Sequence, residues 1–113
     1  MPQADRRINK RVPAEFRVNY IHDGDYLISY SKDLSVDGMF IYTEHPTAVD
    51  DTSKLTFSIG ELKDLSITAK VIWINKSKSP KDSGMGVQFI DPPKKLNEAI
   101  LKIINRVALL EKE

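Results

Sequence analysis

The chain reads as an all-β domain with one C-terminal helix, arranged as an antiparallel barrel or sandwich. Three observations carry that reading. Six short segments read as strands, most of them alternating apolar and polar residues, turn-forming residues separate them, and one stretch at the end switches to helical spacing. At 113 residues the chain is long enough for one core and too short for two.

The elements follow in order. Residues 1–14 have neither strand nor helix period, and Pro2 and Pro13 restrict regular structure, so this stretch is expected to be a flexible arm. From Glu15 alternation is strict, with Phe16, Val18 and Tyr20 on one face and Glu15, Arg17 and Asn19 on the other. Asp23-Gly24 is a hairpin turn, because both residues tolerate left-handed backbone. Tyr26 to Ser31 alternate again, and Asp33 to Gly38 interrupt the pattern. Met39 to Thr43 are apolar on both faces, as in a strand covered on both sides. After a polar loop from Glu44 to Ser53, Leu55, Phe57 and Ile59 form the next strand, and Gly60 to Asp64 turn the chain.

The longest strand candidate is Leu65 to Ile74, with Leu65, Ile67, Ala69, Val71 and Trp73 sharing one face. A loop of lysines and serines over Asn75–Ser83 leads to Gly84–Phe89, whose glycines permit a bulge or a close backbone approach. Asp91-Pro92-Pro93 then ends the sheet, with Asp91 as a candidate helix cap and proline in the first turn. Leu96, Ile100, Ile103, Ile104, Val107 and Leu110 recur at helical spacing and give one apolar stripe. The expected partition is an arm at 1–14, a barrel at 15–91 and a helix at 92–113, within one domain. Closing six strands into a barrel removes exposed sheet edges, and the helix would cover an open end or a seam.

Composition narrows the function. The chain has no cysteine, which rules out disulfides and thiolate chemistry. Its opening residues are polar, without the apolar run of a signal peptide, and no stretch reaches the roughly 20 apolar residues needed to span a bilayer. The expectation is a cytoplasmic protein with no membrane insertion. Net charge is +1, which argues against a non-specific nucleic-acid binder.

Charge placement says more than the total. Arg6, Arg7, Arg11 and Arg17 are four of the five arginines and fall within twelve residues, whereas the twelve lysines are scattered. Arginine suits planar, two-pronged recognition of phosphate or a base edge, so the clustering points to a localised anion site. Asp33-Leu-Ser35-Val-Asp-Gly38 follows one hairpin later and offers an acceptor, a hydroxyl and an unobstructed backbone. Taken alone, each element has a plainer explanation: a solvated basic arm, and ordinary turn chemistry in which Gly38 takes a positive φ. Asp37 is the solvent-facing member of the turn.

In order, Arg7-Ile-Asn-Lys-Arg11-Val-Pro, Asp33-Leu-Ser-Val-Asp-Gly38 and Gly84-Met-Gly-Val-Gln-Phe89 resemble the PilZ domain, a bacterial receptor module for cyclic di-GMP. Each motif is loose by itself, but their order, spacing and all-strand setting together are specific. The resemblance implies a six-stranded antiparallel barrel with the arginine arm folding over the ligand. It implies that Arg7 and Arg11 contact phosphate and the acceptor edge of guanine, that Asp33 accepts from the Watson–Crick edge, and that Ser35 adds a hydroxyl contact. Gly38 would let the backbone come close, and Arg6 would stack on a guanine face. It further implies a non-enzymatic adaptor with no cofactor, one unidentified protein partner, no specific nucleic acid, and a monomeric or weakly dimeric state. Motility, exopolysaccharide export and similar outputs are the expected processes. The alternative is a nucleotide-independent protein–protein adaptor with the same fold.

The remaining candidates have simpler readings. Trp73 is expected in the core, as a lone Trp in a long strand usually is, and His22 and His45 are expected on the surface. A Ser35, His22 and Asp33 triad lacks any nucleophile elbow, and no paired spacing of His or Cys suggests a metal. Gly84 and Gly86 are packing or bulge glycines.

Overall fold

The structure, a computed structural model, describes residues 12–22, 24–44 and 46–111. Seven strands run in order: β1 (Val12–Pro13), β2 (Arg17–His22), β3 (Asp25–Leu34), β4 (Gly38–Tyr42), β5 (Thr52–Ile59), β6 (Leu62–Asn75) and β7 (Gly84–Ile90). A 3₁₀ turn at Pro80–Asp82 precedes β7, and helix α1 (Lys94–Glu111) follows it. The sheet order is β1-β3-β2-β5-β6-β7-β4, and β4 pairs back with β3, so six strands close into an antiparallel barrel and β1 is an extra strand on β3.

Alternation decides what lies inside. Val18 and Tyr20 of β2, Met39 and Ile41 of β4, Leu55, Phe57 and Ile59 of β5, Ile67, Ala69 and Val71 of β6, and Met85, Val87 and Phe89 of β7 form one buried cluster. Leu96, Ile100 and Ile104 of α1 belong to the same cluster. The barrel wall is hydrogen-bonded all the way round, so a helix can enter the interior only at an open end. The apolar stripe of the helix therefore meets the core at an open end of the barrel.

The turns explain the register. β2 and β3 stay paired down to His22↔Asp25, and Gly24 in the two-residue link has φ +83°. The expected turn over Gly60–Asp64 is shorter than its sequence suggests. Ile59 pairs with Leu62 across Gly60-Glu61, and the register then shifts before Phe57↔Leu65. Asp64 takes φ +48° at that bulge, and its amide donates to Ser58 Oγ at 2.8 Å. The residue that looked like part of a turn is a bulge inside the strand.

A second bulge corrects the placement of Trp73. Val71 pairs with Val87 but Trp73 pairs with Gly86, so Ile72 is an extra residue with no partner opposite. One inserted residue reverses the facing of everything after it. Trp73 therefore lies on the outer wall and is 45% exposed instead of in the core.

At the helix start, Asp91 is not the cap. It takes φ +47° where β7 ends, and the amides of Leu96 and Asn97 donate to the Pro93 carbonyl at 2.9 and 3.3 Å. The diproline, and not the aspartate, sits at the first turn.

Candidate functional site

The interruption between β3 and β4 is a tight, internally bonded turn. The Ser35 amide donates to the Gly38 carbonyl at 2.8 Å, and the Gly38 amide donates to the Ser35 carbonyl at 3.3 Å. Ser35 Oγ also donates to the Gly38 carbonyl at 3.3 Å, and the residue is 1% exposed. The hydroxyl proton is thus committed to the turn, which leaves the oxygen lone pairs for any further contact. At the apex, the Phe89 amide donates to the Asp37 carbonyl at 2.7 Å and ties the turn to β7. Asp37 itself is exposed, as its turn position suggests.

Gly38 is needed for space and not for a left-handed backbone. A Cβ there would lie 1.9 Å from the Val87 carbonyl oxygen and 3.1 Å from Gln88 Cα. Any side chain would force β4 away from β7. The close approach is to the neighbouring strand, and Gly38 is absent from the residues with positive φ.

Asp33 is half-buried near the end of β3, paired with Phe40 on one side and Pro13 on the other. Its neighbour Leu34 points inward and is fully buried. Arg6, Arg7 and Arg11 lie outside the described residues, and so do the side chains of His22 and His45. The chain immediately after Arg11 is well defined. Val12 is 1% exposed and pairs with Leu34, and Pro13 pairs with Asp33. Part of the stretch expected as an arm is therefore fastened to the same strand that carries the turn. Sequence reasoning offered no signal for β1, because two residues are too few for any period.

Ser31 secures the connection between β1 and β2. It is fully buried, its Oγ accepts from the Phe16 amide at 3.1 Å, and the same hydroxyl donates to the Ala14 carbonyl. Backbone bonds from Ala14 N to Lys32 O (3.2 Å) and from Ser31 N to Phe16 O (2.9 Å) flank it. One serine thus satisfies two main-chain groups where β1 and β2 leave a gap. Nothing in the sequence around Ser31 distinguishes it from the exposed serines.

A second group of side chains covers the outer wall beside the turn. The Phe40 ring lies over Gly84 and the Trp73 indole over Gly86, at positions where a Cβ would come within 2.5 and 2.1 Å of them respectively. The two rings are 5.2 Å apart and tilted by 33°, Tyr42 meets Phe40 edge-on at 5.7 Å, and Lys32 Nζ stands 5.5 Å from the Phe40 centroid. Phe40 is buried under this cover without joining the core, which is why β4 is apolar on both faces. Gly84 and Gly86 are packing glycines, as expected, and the bulge is on the strand opposite. Among the described residues, no group of three His, Asp or Glu side chains is placed to hold a metal ion, and no helix is long and apolar enough to cross a membrane.

Comparison with known proteins agrees with this architecture. The PilZ domain family matches residues 5–106. The Bacillus subtilis inhibitor of motility (MotI/DgrA) superposes with a TM-score of 0.76 at 16% identity, covering 92% of this chain and 51% of that one. This chain thus spans about half the length of that protein. The PilZ domain of YcgR from Escherichia coli, solved with c-di-GMP, superposes with a TM-score of 0.69 at 15% identity and covers 95% of both chains. The K. pneumonia MrkH–c-di-GMP complex gives a TM-score of 0.69 at 19% identity over 92% of this chain and 53% of that one. No curated protein matches the sequence.

Proposed function

Because the chain belongs to the PilZ domain family, we propose that it is a receptor for cyclic di-GMP, without enzymatic activity, in which the ligand draws the N-terminal arginines over the turn at Asp33–Gly38. One observation carries the proposal: Val12 pairs with Leu34 and Pro13 with Asp33. Arg11 is covalently next to Val12, one Cα step of about 3.8 Å away, and five residues extend at most roughly 18 Å, which bounds the distance from Val12 to Arg7. The tether from Val12 is therefore long enough to let both arginines come to the Asp33 edge. Structures of two relatives of this fold, YcgR and MrkH, contain c-di-GMP, which supports the same ligand here.

The division of labour follows from the chemistry. Cyclic di-GMP presents two phosphates and two guanines. Arg7 and Arg11 would fork to phosphate oxygens and to the guanine acceptors, and each good bidentate guanine contact is worth about 1–3 kcal/mol of discrimination. Asp33 would accept from the guanine Watson–Crick edge, which adenine cannot satisfy in the same way. Ser35 would contribute lone pairs, Gly38 the close packing that shapes the turn, and Arg6 a stacking face. Fixing the chain before Val12 on the ligand would cost conformational entropy, so affinity would be moderate and the change in surface large. In this reading the protein acts in the cytoplasm, as a monomer or weak homodimer, and passes the altered surface to a protein partner. Titration calorimetry with cyclic di-GMP, GMP and cyclic di-AMP tests it. Guanine-selective binding that is lost in Arg7→Ala and Asp33→Ala is the expected result, and absence of heat at high ligand concentration refutes it.

One observation favours a nucleotide-independent adaptor as the second reading. Ile21, Ile28 and Tyr30 are exposed on the β2–β3 hairpin at 43%, 55% and 53%. That reading requires partner capture to be unchanged when Arg7 and Arg11 are replaced by alanine.

A further inference from the structure

We propose that the open edge of β3, from Asp25 to Tyr30, pairs with the same edge of a second copy of this chain across a two-fold axis at Leu27. The inference goes beyond the receptor reading and does not depend on it.

The edge exists because β4 leaves β3 early. β3 stays paired with β2 down to His22↔Asp25, but with β4 it pairs no further toward the hairpin than Ser31↔Ile41. Past Tyr42 the chain turns away, and the Thr43 amide donates to the Ser83 carbonyl at 3.0 Å. A cleft of about 380 Å³ opens between the two, with Leu27, Ile28 and Ser29 on one side and Tyr42, Glu44 and Lys81 on the other. Main-chain groups of successive strand residues point to opposite sides. The Ser31 amide donates to the Phe16 carbonyl on the β2 side. Asp25, Leu27 and Ser29 therefore face β2 as well, and Tyr26 and Ile28 turn their amides and carbonyls toward the cleft. Among the described residues, no strand lies there to pair with them.

Free edges are normally blunted by shortness, proline, lysine or a bulge. The chain does this at β1, which is two residues long and ends in Pro13. Over Asp25–Tyr30 it uses none of these devices, since the β3 bulge comes only between Ser31 and Asp33. Leu27 and Ile28 instead stand 37% and 55% exposed on opposite faces, so a strand added here covers apolar groups on both.

The edge is complementary to itself. Antiparallel pairing about Leu27 sets Tyr26 of each copy opposite Ile28 of the other, and each such pair exchanges both of its main-chain bonds. Leu27 meets its own copy at the closer, non-bonded position, and Tyr30 falls opposite Gly24. Asp25 comes opposite Ser29, on the cleft that Lys81 lines, so each copy brings a carboxylate to the other's cation. A contact this short buries less than the roughly 800 Å² per partner of a standard interface. The dimer is therefore weak, closed and dependent on concentration.

The experiment follows the intact chain by sedimentation velocity from about 10 μM to about 1 mM, with and without cyclic di-GMP. Isotope-filtered NOEs are recorded in an equal mixture of labelled and unlabelled chains. Expected results are a dimer fraction that rises with concentration whether or not ligand is present, and a Leu27 Hα–Hα NOE between copies, as the non-bonded position of an antiparallel pair gives. Ile28→Pro removes an amide that faces the cleft and none that β2 uses, so this variant should stay monomeric throughout and bind cyclic di-GMP as the parent does. Ile28→Lys keeps the amide but charges the edge, and should weaken the dimer about tenfold or more. It serves, with the NOE on the unaltered chain, where the proline variant fails to fold. A parent still monomeric at the highest concentration overturns the proposal. So does a dimer that lacks the NOE, survives both substitutions or appears only with ligand. Those results leave the receptor reading intact, whereas absence of nucleotide binding refutes that reading and leaves the dimer standing.

Discussion

Replacing Ser31 by alanine probes how the arm is attached, and its cost can be worked from two hydrogen bonds. The hydroxyl accepts from the Phe16 amide at 3.1 Å and donates to the Ala14 carbonyl, at a position with no solvent exposure. The substitution leaves both main-chain groups without their partner while changing volume by a single oxygen. An orphaned buried polar group costs about 1–3 kcal/mol. Ala14 and Phe16 are only half-buried, so water can reach part of the gap and each loss falls at the low end. The sum is about 2 kcal/mol. With a urea m-value of about 1–3 kcal/mol per molar, the unfolding midpoint should fall by about 1 M with m unchanged. Ligand affinity should fall further than stability alone requires, because the chain between β1 and β2 loses its fastening to β3. A midpoint shift below about 0.3 M in a protein that remains folded would refute the claim that Ser31 secures this junction.

Three further outcomes follow from the packing. Gly38→Ala should destabilise the fold by about 3 kcal/mol or more, measured by chemical unfolding, because the new Cβ would meet the Val87 carbonyl at 1.9 Å. Gly60→Ala, at φ +57° with nothing within 4 Å, should cost only the backbone strain of about 1–2 kcal/mol. Ile100→Ala, on the fully buried face of α1, should cost about 2–5 kcal/mol, whereas Leu101→Ala, 45% exposed on the next position, should stay within about 0.5 kcal/mol of the parent.

The fold was legible in most of the period-two segments, the exception being β3, where Ile28 and Tyr30 face outward at 55% and 53% and Ser31 lies buried. Val18 and Tyr20 face inward as their alternation requires, Gly24 turns beside a hairpin paired down to His22 and Asp25, and the stripe of Leu96, Ile100 and Ile104 joins the core. What the sequence hid were single-residue irregularities. A bulge has no composition of its own, so Ile72 reads like any strand residue and Trp73 is assigned to the wrong face. Asp64 reads as a turn former for the same reason that it suits the bulge, its tolerance of left-handed backbone. β1 is too short to show a period, and its placement is decided by Ser31 and Leu34, remote in sequence.

The candidate site divides along the same line. Asp33–Gly38 announces a turn through residue type alone, and Ser35 and Gly38 do close it. The reason for Gly38 was not legible, since it depends on Val87 of a strand some fifty residues later. The outer aromatic pair of Phe40 and Trp73 was equally hidden. Gly84 and Gly86 make room for those rings only once β4, β7 and β6 are side by side.

Amide NMR of the intact chain during titration with cyclic di-GMP examines most directly whether arm and turn meet on one ligand. The account predicts saturable shifts concentrated in residues 6–13 and 33–38, with both sets following a single binding curve. Saturable binding whose shifts fall elsewhere on the barrel, or in the turn without the arm, would contradict it.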